Sequence, residues 1–232
     1  IISQFLGAGR AGKMKTAVST TLINFLIISM LLGTVGLIGN DWILRLLKVP
    51  ENVFRDAAAY LRIYFLGLPF LFMYNVQASV FNSLGDSRTP LYLLIFSSLL
   101  NIFLDLVFVI QFGLGVKGVA FATLIAQGIS AVISFVLLLR KVKKYPHERS
   151  EFHFYDGKML RSMIRVAIPS ILQQSIVHMG ILLVQSVVNT FGSAVMAGYS
   201  AGTRIESLAI VPMTAVGNAM STFTAQNMGA GN

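Results

Sequence analysis

Six long apolar runs dominate the chain, at roughly 16–39, 57–83, 90–112, 117–139, 166–190 and 195–222, separated by polar or charged breaks. A helix rising about 1.5 Å per residue crosses a hydrocarbon core of about 30 Å within any of them. Barrel strands would be shorter and would alternate polar with apolar residues. The pattern therefore predicts an all-α, polytopic transmembrane bundle of six spans. The break between the first two runs predicts an outer loop from Asn40 to Asp56, with Trp42 as an interfacial anchor. The longest break, RKVKKYPHERSEFHFYDGK from Arg140 to Lys158, divides the chain into four spans and two. The Asp156–Gly157 turn ahead of Lys158–Arg165 predicts a short amphipathic helix on the inner surface, in a connector that docks on anionic headgroups.

Polar residues inside the runs fall at helical spacing. Asn101 and Asp105 are four apart and share a face, extended by Ser97 or Ser98. On the next span Thr123, Gln127, Ser130 and Ser134 make one stripe. Asn75, Ser79 and Asn82 share a face of the second span, Gln174, His178, Gln185 and Asn189 one of the fifth, and Thr203, Ser207, Thr214 and Asn218 one of the sixth. Faces of this kind on several spans predict a central water-lined cavity, although each stripe also suits helix–helix contact.

Asp105 is the most informative residue. An acid at bilayer depth costs several kcal/mol and is functional by default. Antiparallel packing of the third and fourth spans brings Thr123 to the depth of Asp105. The carboxylate, the Asn101 amide oxygen and the Thr123 hydroxyl then make a hard oxygen site suited to Na⁺. A carboxylate in apolar surroundings also suits a proton carrier. The alternative is a neutral, hydrogen-bonded structural acid. Glu206, with Arg204 two residues before it, is the second candidate for ion or substrate handling; His178, Gln174 and Asn82 complete the secondary set. Arg62 reads as a snorkelling side chain. Pro69, Pro169 and Pro212 lie in or near span interiors, where they let helices bend.

Composition narrows the classes. Hydrophobic residues are 55% of the chain and charged residues only 12%, against roughly 25% in soluble proteins. The net charge of +9 invites a nucleic-acid reading, but the basic residues cluster in loops between apolar runs. Twelve lysines and arginines lie in loops on the side of the N-terminus and four (Arg45, Lys48, Arg55, Lys117) on the other, which puts both ends of the chain in the cytoplasm. The absence of cysteine excludes disulfides and thiolate metal sites in this chain. The histidines show no metal spacing, and no GxSxG, HExxH or Walker lysine appears, so an enzyme is not expected. Gly113-Leu-Gly115-Val-Lys-Gly118 matches the dinucleotide fingerprint, but the run before it is far too long for a strand and no acid follows at the required distance. It reads as a tight outer turn.

A short repeat suggests two similar halves. Ser3-Gln-Phe-Leu-Gly-Ala-Gly-Arg10 and Ala225-Gln-Asn-Met-Gly-Ala-Gly-Asn232 agree at four of eight positions, each at a predicted cytoplasmic helix end.

SQFLGAGR at 3–10, FNSLGDSRTP at 81–90, NIFLDLVFV at 101–109, FGLGVKGVAFAT at 112–123, IPSILQQ at 168–174 and TAQNMGAGN at 224–232 together resemble the multidrug and toxic compound extrusion (MATE) family. The resemblance implies a fragment of a protein about twice this length, with two six-helix lobes that open alternately to either side. Residues 1–140 would be the last four helices of the N-terminal lobe, 141–165 a cytoplasmic linker, and 166–232 the first two helices of the C-terminal lobe. It further implies a monomeric antiporter in the inner membrane of a prokaryote. This would export organic cations or drugs for H⁺ or Na⁺, with no other cofactor and no nucleic-acid partner. Asn101, Asp105 and Thr123 match the N-lobe cation site of the DNA-damage-inducible F-like branch, whose further acid lies on a span outside this chain. Residues 173–189 carry no acid, which favours the N-lobe mechanism. The alternative is a flippase of lipid-linked polysaccharide precursors, which should carry several intramembrane arginines.

Overall fold

A computed structural model describes residues 1–46, 49–146 and 151–231. Lys48, Arg149 and Asn232, used above for the charge bias and the repeat, lie outside the described residues, as does the side chain of Asn189. The described chain is helical: α1 (Ile2–Gly7), α2 (Ala11–Leu46), α3 (Glu51–Ser83), α4 (Arg88–Leu106), α5 (Gly115–Lys143), α6 (Gly157–Asn189) and α7 (Ser193–Ala230), with a π turn at Val107–Gln111 closing α4. Six of these are long and apolar enough to cross a membrane.

The helices outrun the hydrophobic runs at most ends, because backbone hydrogen bonding continues after the side chains turn polar. Asn40–Asp56 is therefore not a long loop: α2 continues to Leu46 and α3 resumes at Glu51, directly after Pro50. Asn40 is buried and its Nδ2 donates to Ala58 O at 3.3 Å, tying the two helix ends together. Nor is Lys158–Arg165 a separate surface helix. Asp156 Oδ1 accepts from the N–H groups of Lys158 (2.8 Å) and Met159 (3.2 Å), so the cap sits at the start of α6 and nothing interrupts the helix beyond it.

Close approach of backbones organises the bundle, as expected where lipid competes equally for apolar side chains. α2 packs on α3, α3 on α5, and α4 on α5. Pro69 has no N–H to offer the carbonyl of Phe65 one turn earlier. That carbonyl sits against Gly33 of α2, and the Phe65 ring lies on Gly36. The buried core lies at the end of the bundle that carries Lys13, Arg88 and Lys141, where Met14, Val18, Leu22, Val76, Val80, Phe81, Leu84 and Leu138 meet. We call this the basic end.

α6 and α7 join the other helices at the basic end. The His153 and Asp156 N–H groups donate to Thr16 Oγ1 (3.0 Å) and Thr20 Oγ1 (3.1 Å), and Thr21 Oγ1 approaches Met163 Sδ at 3.5 Å. No described residue of α6 or α7 is buried.

At the same end Asp86 Oδ2 accepts from Lys141 Nζ at 2.6 Å and from the Thr89 hydroxyl at 2.8 Å, while Oδ1 accepts from the Thr89 N–H at 3.1 Å. Burial pushes the Asp86 carboxyl up, but these hydrogen bonds and the lysine charge outweigh it and bring the pKa from 3.8 down to about 2. A depressed folded-state pKa stabilises the fold above the unfolded value, and the contribution is lost as pH falls from about 4 to about 2. Asp86→Asn is expected to cost about 1 kcal/mol at neutral pH after allowance for solvent screening, with the difference from the parent narrowing towards pH 2. Denaturant titration in detergent at both pH values would test this, and a pH-independent difference would refute it.

Candidate functional site

The third span stays α-helical through Asp105 and then loosens. After Leu106 the helix widens into the π turn, where the Phe112 N–H reaches Val107 O at 3.1 Å. π turns are frequent at functional sites because they re-aim the side chains around them. Asp105 lies at this junction, two residues before the π turn begins. α5 then packs its first turn against it: a methyl group at Gly118 would meet Phe108 and Leu114 at 3.1 Å.

Asn101 and Thr123 come together, with Asn101 Nδ2 lying 3.4 Å from Thr123 Oγ1, itself bonded to Val119 O at 3.0 Å. Both line a cavity of about 290 Å³ between α3, α4 and α5, with Tyr74, Asn75, Ser97, Ser98 and Gln127. Asp105 stands one turn along α4 from Asn101, and its Oδ1 is buried without a hydrogen-bond partner among the described residues. An unpartnered buried acceptor is costly, and Asn40 Oδ1 and Gln77 Oε1 are in the same state among the described residues. No cluster of three or more His, Asp or Glu able to hold a metal occurs among the described residues.

The other stripes resolve differently from their helical spacing. Asn75 and Ser79 share their face with Ser83, not Asn82. The three line a second cavity of about 410 Å³ with Thr21, Phe25 and Phe72, whose two rings lie 6.5 Å apart. Asn82 turns instead into a third cavity of about 490 Å³, with Ser87, Asn218, Thr222 and Gln226. Asn75 and Leu71 line both the 290 Å³ and the 410 Å³ cavities, so one side-chain layer separates them. Only Thr123 and Gln127 of the α5 stripe reach a cavity; Ser130 and Ser134 are buried, their hydroxyls unpaired among the described residues. Arg62 Nη2 meets Asp41 Oδ1 at 3.0 Å, and both side chains are exposed. Glu206, Arg204, His178 and Gln174 are exposed on α6 and α7 and are not brought to Asp105. Arg204 and Glu206 form no ion pair among the described residues.

Sequence reasoning missed Tyr74, Ser83 and Gln226. The i+4 ladder Asn75–Ser79–Ser83 was the available signal for Ser83, and the terminal repeat was the signal for Gln226.

The MatE family model matches residues 1–107 and 169–232. Over 232 residues the chain is 32% identical to the "Probable multidrug resistance protein YpnP" of Bacillus subtilis, covering all of this chain and 52% of that protein. It is 25% identical over 238 residues to a protein of Shewanella oneidensis described as an FAD transporter, covering 99% of this chain and 52% of that one. Among solved structures, a MOP superfamily transporter from Pyrococcus furiosus superposes with a TM-score of 0.87 at 25% identity, over 99% of this chain and 51% of that one. A MATE crystal structure described as the bent conformation gives 0.88 at 26%, over 99% of this chain and 51% of that one. The chain thus spans about half the length of the relatives it matches.

Proposed function

The chain belongs to the MATE family, whose members are transporters and not enzymes, and from that premise we propose that it is part of a monomeric secondary antiporter exporting organic cations for H⁺ or Na⁺. The observation that carries the coupling role is the buried, unpartnered Oδ1 of Asp105, one helical turn from the Asn101–Thr123 pair. A proton or Na⁺ arriving there neutralises an acid in a low-dielectric setting. Asn101 and Thr123 add neutral oxygens that favour a hard cation.

In this reading residues 1–140 belong to one lobe, 141–165 link the lobes and 166–232 begin the second. The basic end faces the cytoplasm of a prokaryotic inner membrane. The 410 Å³ cavity takes the substrate: its size is in the ligand range, and Phe25 and Phe72 offer ring faces to an organic cation beside neutral Asn75 and Ser79. Cation uptake at Asp105 lowers drug affinity across the shared Asn75 wall, and only such differential affinity can shift the states. Glu206, Arg204, His178, Gln174 and Asn82 are proposed as secondary substrate or proton positions, to be substituted singly in the same assay.

An anionic lipid-linked precursor would need free arginines facing the cavity. Of the two arginines inside spans, Arg62 is engaged by Asp41 and Arg204 alone is left, so the flippase reading has less support.

The test is flux of a fluorescent organic cation in liposomes holding the full-length protein, driven by imposed pH or Na⁺ gradients. Gradient-dependent flux supports the antiporter; its absence under both gradients overturns it. Thr123→Val in the same assay is expected to raise the half-saturating concentration of the coupling cation about tenfold with the maximal rate kept, the loss of one oxygen contact. An unchanged cation dependence would remove Thr123 from the site.

A further inference from the structure

The terminal repeat has a structural counterpart. Gln4-Phe-Leu-Gly7 ends α1 and Gln226-Asn-Met-Gly229 lies in the last turns of α7. A methyl group built on Gly7 would run into the carbonyl oxygen of Gln226, and one built on Gly229 into that of Gln4. Each copy therefore presents the same two residues to the other, the reciprocity of a two-fold contact. Two residues beyond each contact glycine the chain turns left-handed, at Gly9 (φ +68°) and Gly231 (φ +83°). A third helix joins the crossing. The carbonyl of Ser83, in the last turn of α3, accepts from Ser3 Oγ at 3.1 Å and from Gln226 Nε2 at 3.2 Å.

The position of this junction matters. Ser83 lies at one end of the Asn75–Ser79–Ser83 ladder that lines the 410 Å³ cavity, and Gln226 lines the 490 Å³ cavity. The junction stands between the two spaces, at the basic end. Its chemistry also differs from that of its neighbour. Asp86 and Lys141, both within the first four spans, are joined by charge, whereas the α1–α3–α7 junction is made of neutral hydrogen bonds and backbone-to-glycine contact. Such a contact separates without stranding a buried charge.

We propose that this crossing is the closure of the transport path on the basic side, and that it parts and re-forms in each cycle. Gly7, Gly229, Ser3, Gln226 and Ser83 are its positioning residues. The glycines let the two helices meet at backbone distance, and the Ser83 carbonyl registers α3 against both. The inference rests on the two-lobe antiporter reading and adds to it the element that closes one side.

The test uses the full-length protein with any cysteine outside this segment replaced; the segment itself has none. Ser3→Cys places one thiol beside the Ser83 carbonyl and Gln226→Cys a second one set back from it along the shorter side chain, a gap that a short reducible bifunctional thiosulfonate can span. Joining them is expected to lower gradient-driven export about tenfold or more, because a locked closure removes one state from the cycle, and reduction restores it. Each single-cysteine variant, whatever its own starting rate, is expected to show no further change under the same treatment. Export that continues at the reduced rate's value after joining, or failure of the pair to join, overturns the proposal.

A second readout needs no transport. With Ser79→Cys as reporter, an impermeant maleimide on the basic side is expected to label Gly7→Ala or Gly229→Ala about tenfold faster than the parent, since the added methyl holds the helices apart. Gln4→Ala keeps the parent rate because Gln4 contributes only its carbonyl. Equal labelling in folded glycine variants overturns the closure. If the parent exports nothing while labelling responds as described, the antiporter reading fails and the closure stands.

Discussion

Full-length protein carrying Asp105→Asn is expected to lose gradient-driven export, by about a hundredfold or to background, while its amount in the membrane and its thermal stability stay at or above the parent's. The amide nearly matches the carboxyl in shape and can still accept at Oδ1, the atom that is buried and unpartnered. Neither property that coupling requires survives. The amide does not titrate, which ends proton exchange, and it carries no charge to hold Na⁺ against its hydration. The stability expectation has the opposite sign for the same reason: a neutral amide at bilayer depth costs less than an ionisable side chain. The two results together separate coupling from structure. A structural acid would lose stability on substitution and leave pH and Na⁺ dependence intact among the surviving molecules. The measurement is export at matched expression under imposed pH and Na⁺ gradients. Wild-type rates with unchanged gradient dependence would remove Asp105 from the mechanism.

Gly36→Val is expected to cost about 3 kcal/mol or to lose folded protein. The Phe65 ring lies on Gly36, and its Cγ, Cδ1 and Cε1 atoms occupy the space any β-carbon would need. The ring has little freedom to withdraw, because its own carbonyl is seated on Gly33 one turn away. That carbonyl lost its helical donor to Pro69, so separating α2 from α3 exposes an unpaired acceptor as well as a packing surface. Gly39→Val is the control. A β-carbon at Gly39 meets only Ile43 Cδ1 at 3.7 Å, an ordinary contact, and the change should be tolerated. Fluorescence-detected size exclusion after stepwise heating would compare them. Equal melting of the two variants would sink the claim that this glycine seat holds α2 on α3.

The residues used in these arguments divide by what local chemistry can decide. The six spans were legible because a hydrocarbon slab demands about twenty apolar residues wherever a helix crosses it. Asp105 stood out for the same reason, but the short turn between antiparallel helices sets Thr123 level with Asn101, one turn before Asp105, rather than with Asp105 itself. Helix ends were not legible. α2 runs past Asn40 and α6 starts at Gly157, capped by Asp156, because backbone hydrogen bonding and caps, not hydropathy, end helices.

Faces were legible only in part. Spacing grouped Asn75, Ser79 and Asn82, yet Ser83 completes the cavity face while Asn82 turns into another. Spacing gave α5 one stripe, yet Ser130 and Ser134 are buried while Thr123 and Gln127 reach the cavity. Asp41–Arg62 joins α2 to α3, Asp86–Lys141 joins the α3–α4 turn to α5, and neither left a local mark in the chain. The repeat at the two ends was visible, but not that its copies would meet at Gly7 and Gly229.

Sequence by itself determined how many helices cross, where the one intramembrane acid of the third span stands, and which residues share a helix face. The tertiary structure decided which face meets which neighbour. The physical reason is that helical periodicity fixes side-chain directions about one axis, whereas rotation of that axis against its neighbours follows from backbone-close seats such as Gly33–Phe65 and Gly7–Gln226, whose partners lie far away in the chain.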